Sequence, residues 1–526
     1  MLRWITQLLT GSFSRRTQAS RSAAEERHAA LVRAARDCNR AGDLSRAEQL
    51  CAKVLEEEPD HAEALYLLGE MEAVRGNGEL AIGLIRRAIS VDDSQPQFHY
   101  ALGCVLGAAG DRHGAEESYR RTLALDPSNQ GAHVNLGCML QAQGELALET
   151  GTAPRELATQ VLDEAISHFR AAADIAPERP DAWINLGYAM ARSRALDEAL
   201  TYYGRALGLD PNLADARFAR SIVLLTQGKF LEGWEDYEWR WQASKYPKPV
   251  FAPPEWDGSP LAGKTVLLYT EQGLGDAIQF VRYAPLLAAR GARVIVRCPA
   301  ALKRLCETVP GVAEVRTPEH TAEDFDVHCA LLSLPRILRT TAEGIPGSTP
   351  YLSADPARVR KWAAHLGRSG ITRVGLAWAG SAAYPYDSSR TLPLAAMAPL
   401  AEIPGAALYS LQKGGAEEQI AQVPFGDRIV NLAPDFDDTA AAIANLDLVI
   451  SVDTSIAHLA GALGRPVWLL LSYVPNWRWG LEGERTPWYP SMRLYRQSRR
   501  GDWSAVLFRV AQDLQKLCAQ PVTSPR

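Results

Sequence analysis

"LDLVISVDTSIAHLAGALGRPVWLLL", residues 446–471, contains a strand, a turn and a helix in succession. "LDLVIS" is a short continuous apolar run, the pattern of a strand buried on both faces. Asp453 and Thr454 then stand where a helix cap belongs, and Ala457, Ala460 and Gly461 keep one face of the following helix small enough to lie close on a sheet. The run closes in a second apolar segment, "VWLLL". Strands alternating with helices predict a parallel sheet with helices on both faces. Outward from this stretch, "RVGLAWAG" (373–380) and "ALYSLQKGG" (407–415) belong to the same series. A separate series upstream comprises "TVLLY" (265–269), "AIQFVRYAPLLAARG" (277–291), "ARVIVRC" (292–298) and "ALKRLCETVPG" (301–311). Two series predict two Rossmann-like domains facing each other across a cleft, at 246–365 and 366–526, the second closed by a C-terminal helix.

Upstream of "KYPKPVFAPPEWDGSPLAG" the period changes. "LYLLGE", "HYALGC", "HVNLGC" and "WINLGY" align with Gly69, Gly103, Gly137 and Gly187 in register, at spacings of 34, 34 and 50. A 34-residue unit is the tetratricopeptide period. Small residues where two helices cross stand at Ala81, Ala115 and Ala199, and at Ala165 after a 16-residue insertion near 144–160 that reads as a loop or extra turn. Proline stops the helices in "EEEPD", "LDPSN", "IAPERP" and "LDPNL". A weaker unit at 28–61, with Ala47 and Pro59 in place, and a degenerate one from 214 give about six helical pairs over 28–245, an α-solenoid whose curved inner surface fits extended peptides. Cys104 and Cys138, each next to a repeat glycine, are expected to face the core.

The 526 residues carry a formal net charge of -5 with 47% hydrophobic content, without the basic excess of a broad nucleic-acid surface. The eight cysteines form no C-x-x-C pair, which implies reduced thiols in a cytoplasmic protein. No run approaches the ~18 apolar residues of a membrane span. Residues 1–27 read as a flexible basic leader, with Arg3, Arg15, Arg16, Arg21 and Arg27, leaving peripheral contact with the inner membrane open.

Three loops after strands carry candidate chemistry. The N–H groups of Thr454 to Ala457, Ser455 among them, form a helix N-terminus suited to a diphosphate, with His458 one turn on as a core histidine or a ligand contact. "EQGLGDAIQF" (271–280) has glycines at 273 and 275 that permit close approach of a ligand, but lacks the Lys-Ser/Thr of a phosphate loop. Asp276 would repel a phosphate, so it is a proton acceptor for an attacking hydroxyl or a cap for its own helix. Arg390 in "WAGSAAYPYDSSRTLPL", Lys413 after "YSLQ" and Arg478 in "NWRWG" are the cations available to a leaving diphosphate.

"EQGLGDAIQFVRYAPLL", "DTSIAHLAGALGRPVWLLL", "WYPSMRLYRQ" and the linking "EGWEDYEWRW" resemble bacterial proteins that join tetratricopeptide repeats to a heptosyltransferase-like glycosyltransferase of GT-B fold. The resemblance implies a nucleotide-sugar donor bound mainly by the C-terminal Rossmann-like domain and an acceptor over the N-terminal one, beside Glu271, Gln272, Gly273 and Gly275. It implies Asp276 as catalytic base, in a Gly-Asp motif, and Asp453, Thr454 and His458 as the D-T-x-x-x-H motif that holds the donor's phosphates. The family's polar "N-x-x-H-x-N-D-R-x-R-S" run is replaced here by "SAAYPYDSSRT", which keeps Asp387 and Arg390.

The expectation is an inverting, metal-independent glycosyltransferase without cofactor, acting on a hydroxyl of a protein presented by the repeats. Alternatives are a tetratricopeptide adaptor with a degenerate or nucleotide-sensing transferase half, transfer to a cell-surface glycan, or a sugar-nucleotide epimerase. Homodimerisation through the repeats stays open.

Overall fold

The computed structural model describes residues 18–243, 247–366, 370–381, 387–432 and 435–520, with side chains from residue 24. The leader's Arg3, Arg15 and Arg16, the side chain of Arg21, the expected boundary at 245 and loop positions 382–386 lie outside the described residues.

Six helical pairs come first: α1 (Gln18–Arg40) with α2 (Leu44–Glu57), α3 (Ala62–Val74) with α4 (Gly78–Val91), α5 (Pro96–Ala109) with α6 (Arg112–Leu125), α7 (Gln130–Thr150) with α8 (Arg155–Ile175), α9 (Pro180–Arg192) with α10 (Leu196–Leu209), and α11 (Ala214–Thr226) with α12 (Phe230–Tyr237). The pairs are held by a repeated knob and hole. A Cβ on Gly69, Gly103, Gly137 or Gly187 would run into Ile85, Tyr119, Phe169 or Tyr203 respectively, in the second helix of its own pair. Ala47, Ala81, Ala115, Ala165 and Ala199 are fully buried.

One expectation changes and one pair of alternatives is resolved. Cys104 is only half-buried and Cys138 is exposed. A residue following the repeat glycine is turned about 100° around the helix, away from the partner helix that the glycine admits. The insertion near 144–160 takes the form of extra helical turns and not of a loop, lengthening α7 and α8 to 21 residues each against 13 or 14 in the neighbouring repeats. Its "ELALET" and "RELATQ" are strong helix formers, with Gly151 at φ 67° between them.

Residues 1–144 and 159–186 form one compact unit, and 145–158 with 187–526 a second. The second unit therefore includes the C-terminal half of α9, then α10, α11 and α12, together with both sheets. Within it Trp234 of α12 is 1% exposed, meets Trp477 edge-on at 5.2 Å, and donates its indole N–H to the Thr340 carbonyl at 3.1 Å. After α13 (Arg240–Ala243), strands β1 (Thr265–Tyr269), β2 (Arg293–Arg297), β3 (Val312–Arg316) and β4 (Val327–Ala330) form a parallel sheet in the order β3-β2-β1-β4.

The second sheet comprises β5 (Thr372–Ala377), β6 (Ala406–Ser410), β7 (Ile429–Asn431), β8 (Leu448–Val452), β9 (Val467–Leu471) and β10 (Met492–Arg496), all parallel, in the order β10-β9-β8-β5-β6-β7. Each order reverses once, between β1 and β4 and between β5 and β8. The crevices beyond the carboxyl ends of those strands are where open α/β sheets take ligands. The loops after β1 and β8 carry Asp276 and Asp453, so both fall at a switch point.

The knob-and-hole contact predicts opposite outcomes for two glycine substitutions. Gly103→Ala puts a Cβ 2.7 Å from the Tyr119 ring and should cost about 1–3 kcal/mol in urea unfolding. Gly83→Ala, in open space within α4, should stabilise by about 0.5–1 kcal/mol.

Candidate active site

Helix α14 (Leu274–Phe280), after β1, and helix α15 (Ser455–Ala462), after β8, bring the two sheets' loops together. They touch at backbone range: a Cβ on Gly275 would lie 2.9 Å from His458 Cδ2 and 3.5 Å from Ser455 Cα. The absent side chain that the sequence reading reserved for a ligand is thus taken up by the opposing helix.

Asp276 is both cap and ion-pair partner. Its Oδ2 accepts the Gly273 N–H at 2.9 Å, and its Oδ1 accepts from Arg478 Nη2. Arg478 is held on all sides, with Nε donating to Gln279 Oε1 and Nη1 to Asn476 Oδ1 at 2.8 Å. The Arg478 side chain is 6% exposed and that of Asp276 19%, so the carboxylate keeps an edge to solvent.

Across the junction, Arg390 donates from Nη1 to the Asp453 carbonyl at 2.9 Å and from Nε to Asp387 at 2.8 Å. Burial pushes the Asp453 carboxyl above its usual range, with the Trp479 indole, Arg390 and Arg478 opposing. Thr454 occupies the cap position of α15 but makes no side-chain cap bond, and its hydroxyl lies 3.2 Å from Ser451 Oγ. The first-turn N–H groups of α15, Ser455 included, therefore keep no side-chain acceptor from Thr454.

His458 is buried. The Tyr351 hydroxyl donates to the Ile278 carbonyl at 3.0 Å, and the Tyr489 hydroxyl and His458 Nδ1 share a hydrogen bond at 2.9 Å. The ring's Nε2 then faces Asp453 Oδ1 at 3.8 Å, too long for a hydrogen bond. Burial, reinforced by Arg478, Arg282 and Arg390, holds this imidazole well below its usual value, so it is neutral at pH 7.

The remaining candidates fall elsewhere. Glu271 accepts from Arg240 at 2.6 and 3.0 Å in a buried pair, and burial pushes its carboxyl up against the opposing pull of Arg240. Gln272, at φ 58°, is in the left-handed region and packs its amide on the Tyr237 hydroxyl at 3.3 Å. Lys413 is half-buried, and burial lowers its ammonium against the pull of Glu417, Asp435 and Asp438 rather than of the Asp276 and Asp453 group.

Sequence reading missed Gln279, Asn476, Tyr489, Tyr351 and Arg282. Arg282, 2% exposed, donates to the Trp488 carbonyl at 2.6 Å and to the Tyr351 hydroxyl at 2.9 Å, and lies 4.6 Å from the ring centres of both Tyr351 and Tyr489. A lone arginine inside the apolar "AIQFVRYAPLL" was the available signal. A cavity of about 220 Å³ lined by Leu231, Trp234, Arg336 and Arg339 shares no residue with this cluster. Among the described residues no three His, Cys, Asp or Glu side chains gather as around a metal ion.

Comparison with known proteins gives three family matches. Residues 39–103, and 100–149 with 150–214, match tetratricopeptide repeat models. Residues 408–499 match glycosyltransferase family 9 (heptosyltransferase), a span that includes Asp453 to His458 and Arg478 but reaches neither Asp276 nor Arg390. Protein FlbA of Caulobacter vibrioides is 32% identical over 388 residues, covering 68% of this chain and 64% of its own length, so the chain spans just under two thirds of that relative.

Among solved structures, YrrB, a TPR protein with an unusual peptide-binding site, is 24% identical over 39% of this chain and 98% of its own, with TM-score 0.30. PilF of Pseudomonas aeruginosa is 24% identical over 35% and 77%, also with TM-score 0.30. The chain thus carries tetratricopeptide repeats in its N-terminal region and a glycosyltransferase family 9 (heptosyltransferase) domain at its C-terminus.

Proposed function

We propose that the protein is an inverting, metal-independent glycosyltransferase that moves a sugar from a nucleotide-sugar donor to a hydroxyl of a protein acceptor presented by the repeats. The observation that carries this reading is the meeting of a partly exposed carboxylate, Asp276, with an α15 N-terminus that its own Thr454 does not cap. Asp276 takes the acceptor's proton as its oxygen attacks the anomeric carbon, and the bond from that carbon to the diphosphate breaks. The first turn of α15 and Arg390 face the departing charge. Arg478, already committed to Asp276, acts on the base and not on the diphosphate. Neutral His458 fixes α15 against Tyr489 and adds no charge of its own. Lys413, drawn toward other acids, is left out of this mechanism.

Protein or peptide binding by the repeats follows from their architecture. The eight cysteines are free, as in a reducing compartment, and no described helix is long and apolar enough to cross a membrane. A cytoplasmic location is part of the proposal, and so is contact of the basic leader with the inner membrane. The adaptor alternative is favoured by one observation, the loss of the family's Asn and His positions from the loop before Arg390.

Titration calorimetry with UDP, ADP, GDP and CDP tests the donor site. One nucleotide should bind wild type, and Ser455→Glu, which sets a carboxylate at the α15 N-terminus, should abolish that binding. Asp276→Asn should leave the nucleotide Kd within about threefold and slow transfer by about 10²–10⁴-fold. Absence of binding to all four would favour the adaptor.

The neutral His458 also sets a pH response. Its folded pKa lies below its unfolded value of about 6.5, so the unfolded chain binds the extra proton and stability falls as pH drops below about 6.5. His458→Gln should flatten that part of the Tm-against-pH curve.

A further inference from the structure

The turns between the two helices of a pair use a left-handed glycine at Gly42, Gly76, Gly110, Gly151 and Gly228, with φ of 81°, 82°, 87°, 67° and 76°. At the equivalent place between α9 and α10 stands Arg194, 34 residues before Gly228, at φ 66°. A side chain in that conformation is strained and persists where its surroundings over-determine it. The surroundings here belong to the segment that carries Arg478. The Arg194 guanidinium lies 4.5 Å from the centre of the Tyr473 ring and donates from Nη2 to the Leu481 carbonyl at 2.9 Å. It thus grips the segment on both sides of Asn476 and Arg478.

The base of this grip is fixed in turn. Arg192, two residues earlier, pairs with Glu145 at 2.8 Å and with Glu149 at 3.3 Å, both on the α7 extension. Arg500 donates to the Arg192 carbonyl. From its other side the segment is tied by Arg496, which donates to the carbonyls of Gly480 at 2.9 Å and Gly483 at 2.8 Å.

We propose that Arg194 is a positioning residue for the candidate active site: from the α9–α10 turn it holds segment 473–481 and, through it, sets Arg478 against Asp276. The repeat turn has given up its glycine to place a side chain, and a change in the α9–α10 pair reaches the proposed base through two contacts. The consequence for transfer rests on the donor and base assignments of the proposed function. The mechanical part stands on geometry alone.

Arg194→Gly separates positioning from simple stabilisation, because it relieves the backbone strain while removing the grip. In the full-length protein, hydrogen exchange read by mass spectrometry should show amides of 473–481 exchanging at least tenfold faster, with Tm unchanged or raised. Arg194→Lys, which keeps the charge near Tyr473 but loses the planar fork, should fall between. The Kd of whichever of UDP, ADP, GDP or CDP binds wild type should stay within about threefold in Arg194→Gly, as in Asp276→Asn, because the grip acts on Arg478 and the base and not on the diphosphate site.

Unchanged exchange at 473–481 would overturn the proposal, and so would faster exchange throughout the second unit with a lowered Tm, which is the mark of a merely structural residue. If wild type binds none of the four nucleotides, the donor reading fails, while the exchange result still decides the role of Arg194.

Discussion

The site depends on the backbone-range approach of two helices at Gly275. With any side chain there, α14 and α15 would have to part, because His458 and the Ser455 backbone already fill the space. The approach carries Asp276 from the first sheet into reach of Arg478 from the second. A buried or half-buried ion pair of this kind adds little net stability against desolvation, but removing one partner costs about 3–5 kcal/mol by stranding the other. The pair joins the helix after β1 to the segment after β9.

A second set of charges supports the same loop from behind. Arg240, 2% exposed, binds Glu271 by two hydrogen bonds and reaches the Ser333 hydroxyl at 2.8 Å after β4. It thereby ties the carboxyl ends of β1 and β4, the two sides of the first switch point. Gln272, between Glu271 and the glycines, takes a left-handed conformation that the loop tolerates because both neighbouring anchors are fixed. "EGWEDYEWRW", a linker by its position in the sequence, is by its contacts part of the site's foundation.

The repeat was legible in the sequence because its period fixes a glycine and an alanine at set distances, and the same periodicity places Ile85, Tyr119, Phe169 and Tyr203 opposite those glycines. Cys104 and Cys138 were misjudged because adjacency to a core position says little about facing on a helix that turns about 100° per residue. Asp276, Asp453 and His458 were legible as residues in or next to the first turns of helices that follow apolar runs. The partnerships were not. Arg478 pairs with Asp276 across 202 residues and Arg282 bonds the Trp488 carbonyl across 206, separations at which one sequence contains no local signal. Lys413 shows the converse, since a cation on the right kind of loop faces the wrong acids.

The pairing of Asp276 with Arg478 bears on whether this domain keeps its chemistry. A half that served only as scaffold would gain from replacing such charges with apolar side chains of similar volume, often by 1–4 kcal/mol. Instead the junction keeps Asp276, Arg478, Asp453 and Arg390 together, with Asp276 and Arg390 19% and 23% exposed. A carboxylate has about four lone-pair positions, and Asp276 uses two of them on the Gly273 amide and Arg478. The cap and base readings are compatible in one side chain: the cap and the arginine fix its orientation, and under the proposed function the remaining lone pairs are those that would accept the hydroxyl's proton.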